Sequence, residues 1–387
     1  MGKSEVNKTK DTILSIINIT IAILLYALMG ASSVPCMEGI EGIGTSVLCI
    51  VLYINMLVAM LIQTILHEAG HLIAGLLSGY EYSSFRILSW VWVKDNDKKL
   101  HIKKMKIKGT AGQCLMCPPK LPIENSPYML YHLGGGLMNL VVGGVCIILY
   151  QFVLPQEYLT FLLFEEFGIV GIVLGLTNLI PCKTGGIQND GYNLLDLRKN
   201  IEIRKCMNMV LSINAYLTLA DSYAELPKEL VDEIKSVDFT KMDITNGSIL
   251  NAYNYQAALY FAEENYEEAY RMQKHILDTK GTLEIFRNEA RCECLFYELT
   301  HGQDKETIEK LYNKKLQKYI QTTAIYPSRM RLMFAYYYLY EKNDKKAQEM
   351  YTKLERAVDT YMIKADALME LAAVKKLKSI YMNERRA

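Results

Sequence analysis

Residues 43–80 read IGTSVLCIVLYINMLVAMLIQTILHEAGHLIAGLLSGY. The stretch carries no acidic, basic or histidine residue before His67. An uninterrupted apolar run longer than roughly 20 residues is what a bilayer-spanning helix requires. Inside the same run stand His67, Glu68 and His71, in the pattern HExxH. Polar groups of this kind are costly in an apolar helix unless they are paired or coordinate an ion. On a helix, residues four apart share one face, so both imidazoles can reach one Zn²⁺. Glu68 stands beside them and can take a proton from a zinc-bound water. The plain alternative is a pair of core histidines bonded to their neighbours. The chain has six histidines, and chance places HExxH in about 1% of chains of this composition.

Working outward, three more stretches are long and apolar enough to span: Ile13–Ser33, Tyr128–Leu154 and Leu159–Cys182. The first follows Lys3, Lys8 and Lys10 and exceeds the ~7–15 residues of a signal-peptide core, so it is expected to be a retained anchor. Loop charges set the expected orientation. Loops 34–42 and 155–158 have no Lys or Arg, whereas 81–127 has nine, from Arg86 to Lys120. The N-terminus, loop 81–127 and the C-terminus are therefore expected on the cytosolic side of a multi-pass protein, in a bacterial cell membrane. Within that loop, 85–93 and 100–107 are β-branched or alternating, with turn residues at 94–98. This pattern predicts a cytosolic β-hairpin against the membrane face.

A catalytic zinc site takes three protein ligands and one water. Candidates for the third ligand are His101, His132, Glu165, Glu166 and Asp190. Glu165 and Glu166 either mark a polar cavity or lie near the outer interface; the latter is expected. Residues 178–191 read NLIPCKTGGIQNDG, at the cytosolic end of the fourth span. Helix breakers there can fold Asp190 back toward the second span, although Asp-Gly by itself is commonly a plain turn. Glycines 134–136, 143 and 144 suit close helix packing. Asn139, in the third span, needs a partner. Cys114 and Cys117 form a lone CxxC, read as two reduced, partly buried thiols.

HExxH in one span, with Asn-x-x-Pro and then Asp-Gly two spans later, resembles the site-2 protease family of intramembrane zinc metalloproteases over residues 43–195. The resemblance implies zinc held by His67, His71 and Asp190, with Glu68 as general base. It implies substrate-binding roles for Asn178 and for Asn139 of the GGGLMN motif. It also likens the basic hairpin to the strand on which an unwound substrate pairs. Eight residues separate Pro181 from Asp190, where the family usually has about four.

Beyond residue 198 the chain becomes charged, Tyr-rich and helical. Turns near 265, 303 and 344 recur at intervals near 40 residues and resemble tetratricopeptide-type helical hairpins. The expected architecture is a four-span membrane domain over 1–198 and a soluble all-α helical-repeat domain over 199–387. The second domain is expected to bind a cytosolic protein. A net charge of +1 and nine irregularly spaced cysteines exclude a nucleic-acid partner and a disulfide scaffold from consideration. Expected partners are thus the bilayer, a membrane-inserted peptide and a cytosolic protein. The expected function is hydrolysis of peptide bonds in membrane-inserted segments. The alternatives are a non-catalytic scaffold and a zinc protease for lipid-modified peptides.

Overall fold

The structure, a computed structural model, describes residues 3–38, 40, 42–94, 99–104, 111–184, 187–302 and 304–384. It divides into two compact units, 1–88 with 107–204, and 89–106 with 205–387. The division falls inside helix Ile201–Leu219, a few residues beyond the expected boundary. The strands of 89–106 are grouped with the second unit.

Four helices of the first unit are long and apolar enough to cross a membrane. They are α1 (Lys3–Glu38), α2 (Thr45–Leu77), α3 (Tyr128–Phe152) and α4 (Tyr158–Leu179). On α1 and α2, exposed side chains such as Ile19, Ile23, Ile50, Ile54 and Leu57 form an apolar surface, as a helix in hydrocarbon requires. At 33 residues, α2 is about 50 Å long, against a ~30 Å hydrocarbon core. His67 and His71 lie in its last third.

Helix α3 packs against both α2 and α4, and small residues let it do so. A Cβ on Gly134 would lie 2.5 Å from the Gly70 carbonyl oxygen of α2. On the opposite side, a Cβ on Gly143 would lie 2.7 Å from the Gly168 oxygen of α4. Gly144, expected to share this role, has nothing within 4 Å of such a Cβ. Helix α4 contains a π-helical turn, Phe161–Glu166. Glu165 and Glu166, expected near the outer interface, are buried in this turn. They accept hydrogen bonds from Gln151 Nε2 (2.8 Å) and Asn55 Nδ2 (2.7 Å).

The loop between α2 and α3 holds more strand than the sequence pattern indicates. Strand β1 (Glu81–Ile87) ends where Leu88 turns into the left-handed region at φ 53°. The hairpin anticipated over 85–107 is therefore split. Its second part is β2 (Trp90–Lys94) paired with β3 (Leu100–Lys104), Trp92 opposite Ile102. The turn 95–98 lies outside the described residues. Strand β1 instead pairs antiparallel with β4 (Gly112–Cys117), which contains the CxxC. Tyr131 of α3 donates its hydroxyl to the Cys114 carbonyl (2.8 Å) and so holds β4 to the bundle. Both cysteines are free, Cys114 buried and Cys117 partly so. Burial pushes the Cys114 thiol up to about 12, which removes it from thiolate chemistry at neutral pH.

Past α4 the chain forms a two-stranded hairpin, β5 (Lys183–Thr184) with β6 (Ile187–Gln188), and then α5 (Asp190–Lys199). The second unit holds α6 (Ile201–Leu219, from Lys205 onward), α7 (Lys228–Lys235), α8 (Gly247–Ala262), α9 (Tyr266–Asp278) and α10 (Glu284–Tyr297). It continues with α11 (Lys305–Leu311), α12 (Lys314–Thr322), α13 (Pro327–Ala335), α14 (Asp344–Thr360) and α15 (Lys364–Glu384). Each of the three anticipated turns joins two helices. In two of them the geometry repeats: Glu264 and Lys342 adopt φ 62° and 55°, and the following Asn265 and Asn343 cap the next helix.

Replacing Gly143 by Ala should lower the thermal midpoint of the solubilised protein, by an overpacking cost of about 1–3 kcal/mol. Gly144→Ala should be neutral or raise it, since Ala gains up to ~1 kcal/mol in helix propensity. Equal losses in the two variants would contradict the α3–α4 contact.

Candidate metal centre

HEAGH folds as the seventh turn of α2, which brings His67 and His71 to the face that packs on α3. Their ring nitrogens point in defined directions because each Nδ1 has an acceptor. His71 Nδ1 lies 2.7 Å from the Tyr131 carbonyl oxygen. His67 Nδ1 lies 2.7 Å from Asn139 Oδ1. The Asn139 amide is itself oriented, because its Nδ2 donates to the Gln63 carbonyl and to Gln63 Oε1, both at 2.8 Å. Gln63 Nε2 in turn donates to the Phe167 carbonyl (3.1 Å) of α4. This relay fixes Asn139 Oδ1 as an acceptor and so the Nδ1–H tautomer of His67. With Nδ1 as the donor in both rings, it is the two Nε2 atoms that face Asp190 and would serve as ligands in the neutral imidazoles.

The two Nε2 atoms are 3.1 Å apart, and Asp190 Oδ2 lies 3.1 Å from one and 3.3 Å from the other. Contacts of this length between two imidazole nitrogens and a carboxylate oxygen are bridged either by a proton on an Nε2 or by a shared cation. Among the described residues no Lys or Arg pairs with Asp190. Ligands at about 2.0–2.1 Å from a tetrahedral zinc are themselves about 3.3 Å apart, so the triangle has the size of one face of a zinc coordination shell. His67, His71 and Asp190 are also the one group of three His, Cys, Asp or Glu ligands found together among the described residues. Gly135 of α3 keeps the space clear: a Cβ there would lie 2.5 Å from His71 Nε2 and 2.6 Å from His67 Nε2.

No protein-family model, curated protein or solved structure matches the chain. The site is thus to be read from its own geometry.

Asp190 reaches the site from outside the four long helices. Helix α4 stops at Leu179, and Ile180 is extended (ψ 117°) before Pro181, as a residue preceding proline prefers. The eight residues between Pro181 and Asp190 do not displace the carboxylate, because most of them loop out as β5–β6. The loop closes at its base, where Asn189 N–H donates to the Cys182 carbonyl (3.1 Å). Asn189 then uses its whole side chain. Its Nδ2 donates to the Thr177 and Ile180 carbonyls (both 2.7 Å), and its Oδ1 accepts from Cys182 N–H and Tyr192 N–H (both 3.0 Å). The last of these caps α5. Asp190-Gly191 is thus the first turn of a helix and not a plain turn, and a Cβ on Gly191 would strike the Leu179 carbonyl oxygen.

Of the other candidates, His132 is buried with its ring 5.0 Å from that of Tyr131 and is not among the three ligands. His101 lies on β3 in the second unit. The Asn178 amide turns back to the Leu174 carbonyl of its own helix (3.0 Å). Asn139 is fully buried, and both ends of its amide are engaged by Gln63 and His67. Glu68 is buried against β4: a Cβ on Gly112 would lie 2.5 Å from its Oε1. Beside it Arg86, counted by sequence among exposed loop cations, is 1% exposed. Its guanidinium donates to the Leu88 (2.7 Å) and Gly112 (3.1 Å) carbonyls. Burial lowers the Arg86 pKa, and the Glu68 carboxylate partly offsets this.

Sequence reading passed over Gln63, Asn189, Gly112 and the Tyr131 carbonyl. Gln63 left a signal, since it lies one turn before His67 in a charge-free run. Gln63→Leu should release Asn139 and weaken zinc affinity by about 10–100-fold, the usual cost of losing an outer-shell partner. Competition with a chromophoric chelator measures this; unchanged affinity would remove the relay from the site.

Proposed function

We propose that the chain is a zinc-dependent endopeptidase acting on peptide segments inserted in a membrane. The observation that carries this reading is the triangle of His67 Nε2, His71 Nε2 and Asp190 Oδ2, with Glu68 buried beside it. When bound, zinc would supply Lewis-acid polarisation of the scissile carbonyl and of an attacking water. Glu68 accepts the proton of that water and delivers it to the leaving amide nitrogen, so that one C–N bond breaks as one C–O bond forms. Asn139 and the Tyr131 carbonyl keep both imidazoles in the ligating tautomer. Gly135 leaves room for the reacting group. Membership of the site-2 protease family is part of the proposal and is supported by HExxH, by NLIP…NDG and by the ligand triangle.

A helical substrate shields its carbonyls, so it must unwind locally before cleavage. Strand β4, which packs against Glu68, has no strand on its outer side among the described residues, and such an edge offers main-chain pairing with little demand on sequence. Orientation follows from the Lys and Arg of loop 81–127 and places the HEAGH end of α2 on the cytosolic side.

Glu68→Gln should retain zinc and fold while cleavage falls by about 10²–10⁴. The comparison is between membrane-peptide proteomes of cells making wild-type or Glu68→Gln protein. Identical peptide sets would favour a non-catalytic scaffold. A second expectation concerns the position of the cut. Product termini mapped by mass spectrometry should fall in the cytosolic half of the substrate's span, and cuts confined to the outer half would contradict the orientation.

A further inference from the structure

We propose that a cavity in the second unit binds a peptide through an arginine or lysine side chain. The cavity has a volume of about 320 Å³ and opens among α8, α9, α10 and α15, at the lower end of the range of ligand pockets. Two features of its wall define the occupant.

The first is an unbalanced charge. Glu289, Glu293, Asp366 and Glu370 all line the cavity. Three of them share the two buried guanidiniums of α13. Arg329 pairs with Glu289, and Arg331 lies 2.5 Å from an oxygen of both Glu293 and Glu370. Both guanidiniums are 1% exposed. Asp366 has a different environment. It accepts from the Tyr223 hydroxyl (2.8 Å), a neutral donor, and no Lys or Arg pairs with it among the described residues. Burial raises its carboxyl to about 6. A half-buried carboxylate with no cation beside it is costly, and a ligand's cation supplies what the fold does not.

The second feature is aromatic. Phe286, Tyr270 and Tyr297 line the cavity, with Tyr270 and Tyr297 stacked at 4.1 Å. Aromatic faces attract desolvated cations. The same wall already hosts one, since the Arg331 guanidinium sits 3.9 Å from the Phe296 ring centre and 4.5 Å from that of Phe261. The amides of Asn254 and Gln273 also line the cavity and offer a donor and an acceptor to a peptide main chain, which a free amine would not use. An anionic ligand would face a net excess of carboxylate, and a purely apolar one would strand Asp366.

The test uses full-length protein in detergent and four probes. These are fluorescein-labelled Ala-Ala-Arg-Ala-Ala-amide, the same peptide with citrulline, the same peptide with glutamate, and free L-arginine as competitor. The arginine peptide should bind about tenfold or more tighter than the citrulline or glutamate peptide. Asp366→Asn should bring the arginine and citrulline peptides to within about threefold. The arginine peptide should fail to bind measurably, or bind no better than citrulline, if the inference is wrong. Displacement by free L-arginine at the peptide's own affinity would overturn the peptide as ligand. Wild-type selectivity in folded Asp366→Asn would overturn Asp366 as the anchor; should that variant not fold, the wild-type probe series still decides. Zinc content, which tests the metal centre, is read separately and does not depend on this result.

Discussion

A hydrogen bond between an imidazole and an amide inside an apolar bundle is the interaction on which the site depends. His67 can offer an Nε2 lone pair only if Nδ1 keeps its proton. The Phe167 carbonyl, Gln63 and Asn139 favour that tautomer, along a relay that runs through α4, α2 and α3. The relay requires three helix backbones within the reach of short amide side chains. That closeness is provided by the glycines at the α2–α3 and α3–α4 contacts. Helix packing and ligand chemistry are thus one constraint. A larger residue at Gly134 or Gly143 would part the helices and also lengthen the bonds that orient His67.

The third ligand obeys a different logic. Asp190 is the first residue of a helix whose exposed backbone N–H groups favour a carboxylate at that end. Its position is set by Asn189, which joins the end of α4 to the start of α5 with four hydrogen bonds. From α1, Asn18 donates to the same two α4 carbonyls, Thr177 and Ile180, at 3.2 and 3.3 Å. Since the segment is closed at its base by Cys182 and Asn189, the length of the intervening hairpin does not alter where the carboxylate falls.

The four long helices and the HExxH face were legible because they rest on period and on cost: a long apolar run has few alternatives, and charged groups inside one need a reason. Asn139 was legible as a polar residue needing a partner, but its partner was not, because Gln63 carries no motif and its contact spans 76 residues of chain. Strand β4 was illegible for a similar reason. Gly112 to Cys117 has little β-branched character, and it is a strand because β1 pairs with it and Tyr131 holds it down. Arg86 was misread because loop composition reports charge but not burial. In the second unit the turns were visible in polar clusters, whereas the buried arginines of α13 were not, since nothing local distinguishes Arg329 and Arg331 from solvated residues.

The two units meet the cost of buried charge in opposite ways. Around α13 the fold pairs its buried cations internally, with each guanidinium placed against a carboxylate and against aromatic rings. Breaking such a pair would leave an uncompensated charge, which costs several kcal/mol. At the metal centre the fold does the reverse. It sets Asn139 and the Tyr131 carbonyl on the far side of each imidazole and Asp190 on the near side, with no Lys or Arg there among the described residues. Elsewhere in both units buried carboxylates find hydrogen-bond or ion-pair partners, as Glu165 does with Gln151 and Glu370 with Arg331. A carboxylate set against two oriented imidazoles, with no Lys or Arg paired to it among the described residues, is the arrangement from which the proposal of a bound metal starts.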